Sequence, residues 1–250
     1  MRKRMILWAA LLGAVAAMFS CQKEQVVYSL SIEATKGADG EAVKALSLNG
    51  TSLTPSWATT ENVYVKKGNT WADGALHPQT NGPTATLKGT LSGVTFAARD
   101  GITLQFPRSG DITYVGQKGT LADLAANFDW ATATVNVESV EGGQIIVSRA
   151  IDFQSQQAIV KFKLKKESVS GSEALYATKL DVLVDGTVYN INPGTGSLDE
   201  FYVALPGFSN KYVVLIATDS DDNTYSYSKG GVTFTNGKYY TRTVTLAPSH

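Results

Sequence analysis

The chain has 250 residues, of which 22 are Lys or Arg and 22 are Asp or Glu, so its formal net charge is zero. This balance argues against a nucleic-acid-binding protein, which would carry a basic stripe to contact phosphates. With a single cysteine the chain cannot form an internal disulfide, but it is long enough to bury a hydrophobic core without one.

The first 20 residues are predicted to be a signal peptide. A basic head at residues 2–4 precedes an apolar run over residues 5–19, which is shorter than the roughly 20 residues that a membrane-spanning helix needs. The lone cysteine, Cys21, follows the small residue Ser20, and this junction resembles the lipobox of bacterial lipoproteins. The resemblance implies cleavage between Ser20 and Cys21 and a lipid anchor on the Cys21 thiol. Two alternatives stay open: a plain signal peptide with an incidental cysteine, and an uncleaved anchor helix.

Residues 21–25 are predicted to form the lipidated cysteine and a polar spacer, after which alternating polar and apolar residues predict about fifteen strands. The spacer, Gln-Lys-Glu-Gln after Cys21, resembles the signal that sends lipoproteins of one Gram-negative phylum to the cell exterior; the alternative is a flexible leash. In the first strand, over residues 26–34, Tyr28, Leu30, Ile32 and Ala34 share one face. Further strands are predicted over residues 45–49, 62–66, 84–91, 101–106, 112–115, 132–140, 144–148, 156–165, 175–184, 187–191, 201–205, 212–218, 224–228 and 238–246.

Turn residues divide these strands. Gly142-Gly143 and Asp185-Gly186 predict hairpins, while residues 36–40 and 73–83 are predicted to be a linker and a loop because they are rich in Gly, Pro and Asn. A short helix is predicted over residues 120–127, with Thr120 as its N-cap. The expected division is an N-terminal β-sandwich domain over residues 26–150 and a C-terminal one over residues 151–250.

Several short motifs, in this order, resemble the fimbrillin-like family, which includes the type V pilus subunits and Mfa-like surface lipoproteins of Gram-negative bacteria. They are Trp57 with residues 61–65, residues 85–91, Phe106-Pro107, residues 157–162, residues 202–206 and residues 237–240. The resemblance implies an all-β fold of two transthyretin-like β-sandwich domains in tandem. It also implies a surface-exposed outer-membrane lipoprotein that acts as a fimbrial subunit or fimbria-associated adhesin. The expected partners are other fimbrial subunits or host and bacterial surface ligands.

In polymerising members of that family, a protease removes the first strand of the first domain, and a strand from the next subunit fills the gap. Lys44 occupies the matching position, where the family commonly has arginine; the alternative is a solvated edge-strand lysine. The last residues, 247–250, are too short to form a donor strand, and Pro248 cannot donate a hydrogen bond to a ladder. We therefore expect an accessory, tip or free surface adhesin rather than a major shaft subunit.

The sequence does not predict an enzyme. The chain has two histidines, His77 in a predicted turn and His250 at the end of the sequence, and it carries no Gly-x-Ser-x-Gly, His-Glu-x-x-His or P-loop motif. No cofactor or metal site is predicted, and the acidic run over residues 219–223 is interpreted as a hairpin tip. The alternative function is a monomeric surface lipoprotein that binds a glycan or another ligand, with Trp71 and Trp130 as candidate stacking residues.

Overall fold

The computed structural model describes residues 25–36, 47–49, 52–54, 56–106, 113–169 and 171–249. Ser20, Cys21 and Lys44 lie outside these residues, so the cleavage, lipidation and processing that the sequence suggests stay predictions. No helix in the described ranges is long and apolar enough to cross a membrane.

The described chain is almost entirely β-structure. The elements before residue 156 are β1 (Tyr28–Lys36), β2 (Ser47–Asn49), β3 (Ser52–Thr54), β4 (Tyr64–Lys67), β5 (Thr70–Trp71), β6 (Asp73–Pro78), β7 (Thr84–Ser92), β8 (Gly101–Phe106), α1 (Leu121–Asn127), β9 (Ala131–Glu141), β10 (Gln144–Val147) and β11 (Ile151–Ser155). The remaining elements are β12 (Ala158–Ser168), β13 (Gly171–Ala174), β14 (Lys179–Val184), β15 (Thr187–Ile191), β16 (Glu200–Leu205), β17 (Phe208–Thr218), β18 (Thr224–Phe234) and β19 (Tyr239–Pro248).

These strands form two large sheets, each with its own core. The first has the order β5-β4-β8-β9-β10-β1-β7-β6, with β11 paired to β1 and β9. The second has the order β13-β12-β19-β18-β17-β14-β15, with β16 paired to β12, and β2 and β3 form a separate two-stranded sheet. One buried apolar cluster belongs to each large sheet. The prediction of an all-β chain with two β-sandwich units in tandem is therefore confirmed.

The local signals in the sequence account for several elements. The inward face predicted for β1 is buried, with Ser29 and Ser31 exposed between its members. Asp185 and Gly186 both have positive φ, at 47° and 89°, as a two-residue hairpin turn between β14 and β15 requires. The N-cap of α1 is also confirmed, because Thr120 Oγ1 accepts a hydrogen bond from the Asp123 backbone N–H at 3.2 Å.

The loop predicted over residues 73–83 is wrong for its first half, because Asp73–Pro78 forms the strand β6 at the edge of the first sheet. Gly74 in this strand allows β6 and β7 to approach each other closely. A Cβ on Gly74 would collide with the Thr90 carbonyl, and a Cβ on Gly89 with the Ala75 carbonyl. An edge strand also tolerates Pro78, since one side of its backbone needs no ladder partner. The strand predicted at 112–115 is likewise absent over residues 113–115.

The chain passes from the first sheet to the second after Ser155. The sequence placed the division at residue 150, but the next strand, β11, still pairs with β1 and β9. Residues 156 and 157 form the passage, and both are held in place. The Gln156 backbone N–H donates to the Trp130 carbonyl at 2.8 Å, and the Trp130 N–H donates to Gln157 Oε1 at 3.1 Å.

Residues 113–130, which we call the docking segment, leave the first sheet between β8 and β9 and pack against the second. The side-chain amide of Gln117, which is 0% exposed, accepts from Ala204 N at 2.7 Å and donates to Ala204 O at 2.8 Å. Leu124 and Phe128 pack with Ile159 and Ala204 of the second sheet. Burial, together with the nearby Tyr189 phenol, raises the pKa of Tyr114 to about 12. The two units are thus joined by hydrogen bonds and apolar contacts.

Replacing Gln117 tests this junction. Gln117→Ala leaves the backbone N–H and C=O of Ala204 buried without their side-chain partner, so we expect the free energy of unfolding to fall by about 2–4 kcal/mol. Urea denaturation followed by tryptophan fluorescence measures this change. Gln79→Ala is the control, because the exposed side chain of Gln79 donates only to the nearby His77 carbonyl, and it should change stability by less than about 0.5 kcal/mol. Equal effects of the two substitutions would contradict the role assigned to Gln117.

Candidate functional site

The first strand of the described chain, β1, lies inside the first sheet rather than at its edge. On one side it pairs antiparallel with β7, from Tyr28↔Leu91 to Thr35↔Thr84. On the other side it runs parallel to β10 near Ser29 and to β11 from Ala34 to Lys36. We call the space between β7 and the β10–β11 side, which β1 fills, the β1 groove. Parallel pairing on one side places β1 beside strands that come more than 100 residues later in the sequence.

The inward face of β1 is part of the first core. Tyr28, Leu30, Ile32 and Ala34 are all buried, and the Tyr28 ring packs edge-to-face on Phe96 with ring centroids 5.2 Å apart. Burying one large apolar side chain stabilises a fold by about 1.5–3 kcal/mol. The groove therefore binds β1 through several apolar contacts and through backbone hydrogen bonds on both sides.

The last residue of β1, Lys36, continues the same inward alternation. Although it is a lysine, it is only 1% exposed. Its Nζ lies 2.9 Å from both carboxylate oxygens of Glu61 and 2.9 Å from the Ser56 carbonyl oxygen. The ammonium also lies over the rings of Trp57 and Phe106, at 4.8 and 4.9 Å from their centroids. Cations over aromatic faces are stabilised when they are shielded from water. We call these five residues the lysine cage.

The cage is tied to the backbone of β1 as well. Trp57 Nε1 donates to the Ala34 carbonyl oxygen at 3.1 Å. Its ring packs against Phe106 and Phe153, each with ring centroids 5.2 Å away. Trp57 lies in the core, where it is 1% exposed. Trp57 therefore contacts both the strand and the cation that ends it.

The lysine cage is not predicted from the sequence, because the glycines that follow Lys36 predict a linker at this position. The residue is the end of β1. The available signal was the alternation itself, since residues 28, 30, 32, 34 and 36 have one phase and Lys36 therefore faces inward. Only the fold shows that Glu61, 25 positions later, supplies the counter-charge.

The two tryptophans predicted to stack on a ligand have different surroundings. Trp130 is 4% exposed, so its ring offers no open face to a sugar in this structure, and its ligand role stays a prediction. Trp71 is half-buried on β5, with Lys66 Nζ 5.2 Å from its ring centroid. The proposed ligand role of Trp71 stays a prediction.

A cleft of about 320 Å³ lies in the second unit between β18 and β19. The ladder between the two strands covers Tyr225 and Ser226, and the cleft lies along the residues beyond it. Its apolar lining includes Phe162, Leu215 and Phe234, and its cationic lining comprises Lys229 and Arg242. Neither Trp71 nor Trp130 belongs to this lining.

The acidic run at 219–223 forms the tip of the β17–β18 hairpin. Asp219 accepts hydrogen bonds from the backbone N–H groups of Asp221 and Asn223 and from the Asn223 side chain. Desolvation acts to raise the pKa of Asp219, but these hydrogen bonds outweigh it and hold the pKa below its usual value. Within the described ranges, no group of three or more His, Cys, Asp or Glu side chains could hold a metal ion.

Comparison with known proteins gave structural likenesses only. No family model matches the chain, and no curated protein matches it. Among solved structures, the chain is similar to a fimbrial protein from Bacteroides ovatus, with 12% identity, a TM-score of 0.34 and coverage of 90% of this chain and 51% of that one. It is also similar to a fimbrial assembly protein from Parabacteroides distasonis, with 12% identity, a TM-score of 0.40 and coverage of 87% and 90%. The chain thus spans about half the length of the Bacteroides ovatus protein.

The ion pair in the lysine cage can be tested by a double-mutant cycle. We expect Lys36→Met and Glu61→Gln each to lower the free energy of unfolding by about 3 kcal/mol, because each leaves the other charge buried without its partner. The double variant buries no charge, so its loss in free energy of unfolding should be smaller than the sum of the two single losses. The difference should be at least about 2 kcal/mol. Chemical denaturation of all four proteins measures the cycle. Additive losses would show that the two side chains do not stabilise each other.

Proposed function

We propose that the chain is a fimbrial subunit or fimbria-associated adhesin, held on the outer surface of the outer membrane by a lipid on Cys21. The observation that carries the proposal is the position of β1, an early strand that completes the first sheet from within. The proposal also rests on the ordered sequence motifs that resemble the fimbrillin-like family. In this function the chain needs neither a catalytic site nor a cofactor.

The β1 groove has the properties that strand exchange requires. Lys44 lies eight positions after Lys36, so a cut after Lys44 would leave β1 held by non-covalent contacts alone. Departure of β1 would expose unpaired backbone groups along β7 and β11 and open the apolar core beside Leu30 and Ile32. A strand from another subunit would pair those groups and cover that core.

The surroundings of β19 support an accessory or tip role over a major shaft role. This strand runs parallel to β12 from Ile159↔Tyr239 to Lys166↔Leu246. Its Val244 and Leu246 are buried in the second core. Donation of β19 to another subunit would open that core, so its use as a donor strand carries a large cost in stability.

The alternative function, a monomeric surface protein that binds a glycan or another ligand, is favoured by the cleft between β18 and β19 and by the half-buried ring of Trp71. The two functions predict different behaviour of protein taken from cells. Assembly by strand exchange gives ladders that resist SDS without heating, whereas a monomeric binder gives a single band and glycan binding that Trp71→Ala removes.

The lipid anchor is tested at Cys21. We expect Cys21→Ser to move most of the protein from the membrane fraction to the soluble fraction, because serine has no thiol to carry the lipid and a durable anchor needs two or more acyl chains. Cell fractionation and metabolic labelling with a fatty acid measure the change. The neighbouring substitution Gln22→Ser should leave anchoring and labelling intact. Equal membrane retention of the Cys21→Ser protein would contradict the lipid anchor.

Processing is tested at Lys44. We expect the assembled fraction of the native protein, which the cut separates from the lipidated Cys21, to begin at Ala45 and to form SDS-resistant complexes with other subunits, and we expect Lys44→Gln to remove both properties. N-terminal sequencing and unheated gel electrophoresis measure them. Lys23→Gln is the control, because it removes the same charge in the spacer before β1. Monomeric native protein with an intact Lys44–Ala45 bond would contradict strand exchange in this chain.

A further inference from the structure

We infer that the β1 groove is selective for its occupant at one position: the strand that fills it carries a lysine where Lys36 lies and a small residue where Ala34 lies. This inference rests on the proposed strand exchange and specifies the partner, which is an extended segment with three large apolar residues, a small one and a lysine at alternate positions. The segment runs in the direction of β1, parallel to β11.

Glu61 is a buried carboxylate. Its side chain is 8% exposed, and both of its carboxylate oxygens accept hydrogen bonds from Lys36 Nζ. Glu61 belongs to the wall of the groove and would stay behind when β1 leaves. A strand that brought a neutral side chain to this position would cover the carboxylate without supplying a cation, and an uncompensated buried charge is strongly unfavourable.

The geometry of the cage also selects the kind of cation. A lysine ammonium has three N–H donors, and three oxygens lie 2.9 Å from this one: Glu61 Oε1, Glu61 Oε2 and the Ser56 carbonyl oxygen. The rings of Trp57 and Phe106 lie close to the same nitrogen. A guanidinium is larger and planar, with five donors in a fixed fork. The lysine cage therefore fits an ammonium and not the arginine group.

The groove also restricts the register of its occupant. Ala34 is completely buried, and its carbonyl oxygen accepts a hydrogen bond from Trp57 Nε1, so a larger side chain there would overpack the core. A slip of one residue would turn the lysine to solvent and the polar residues of the strand to the core. A slip of two would place the lysine where Ala34 lies. The lysine cage and the small space at Ala34 together therefore allow only one register of the incoming strand in the β1 groove.

The test is a peptide-exchange experiment on the full chain. A site for a sequence-specific protease is inserted between Lys36 and Ser47, and the folded protein is cleaved so that β1 stays bound without a covalent link. A fluorescent peptide with the sequence of residues 26–36 is then exchanged into the groove, and unlabelled peptides compete with it. The competitors are the native sequence, Lys36→Met, Lys36→Arg and Glu33→Gln. The last is the matched control, because Glu33 is exposed on the outer face of β1.

We expect the Lys36→Met peptide to compete at least about 100-fold less well than the native one, and Glu33→Gln to stay within about threefold of it. Lys36→Arg should also be at least about tenfold weaker, because the guanidinium does not fit the cage. In a cleaved protein that carries Glu61→Gln, the loss caused by Lys36→Met should shrink to about tenfold or less, since no carboxylate is then buried.

Each of the other outcomes has a definite meaning. Equal competition by the native and Lys36→Met peptides would overturn the selectivity while leaving strand exchange intact. A loss of the same size in the native and Glu61→Gln proteins would also overturn it, because the carboxylate would then not be the cause. If no peptide enters the groove of the cleaved, folded protein, strand exchange itself fails, and the inference fails with it.

Discussion

The first unit depends on the insertion of β1 between strands that follow it in the sequence. Antiparallel pairing with β7 and parallel pairing with β10 and β11 cover both edges of this strand, and its inward side chains complete the core. Such long-range pairing pays its chain-closure entropy before the contacts stabilise it, which makes it slow to form. A groove of this kind is stable when it is filled, and it exposes both backbone groups and apolar core when it is empty.

The lysine cage adds register to this apolar binding. An apolar face alone would hold several extended segments, because hydrophobic burial has no direction. A buried ion pair stabilises a fold little more than a well-packed apolar pair of the same volume, but it penalises every arrangement that leaves one charge alone. Lys36 and Glu61, at 2.9 Å, therefore contribute more to the choice of alignment than to the total stability. Trp57 couples the two effects, because it contacts the cation and also donates to the backbone of β1.

Sequence patterns with short-range causes were enough to predict much of the fold. The alternation in β1, the Asp185-Gly186 turn and the Thr120 cap each depend on neighbours within a few residues, and each is confirmed. Elements set by distant residues were not predicted. The glycines around β6 indicate a loop, and only the structure shows the close approach of β7. The glycines after Lys36 indicate a linker, and the counter-charge of Lys36, Glu61, is remote in sequence. The candidate site was thus predictable in its apolar half, while its charged half required the fold.

The docking segment is a second connection between the two units. It begins after β8 and ends at β9, and these two strands pair with each other in the first sheet. Its Gln117 is bonded to Ala204 of β16, and β16 pairs with β12 along Ala158 to Lys163. Buried hydrogen bonds and the apolar cluster around Phe128 therefore join the two sheets in addition to the covalent passage at Gln156 and Gln157. A chain joined only by that passage would bend freely at it, whereas this one links its two sheets at two places.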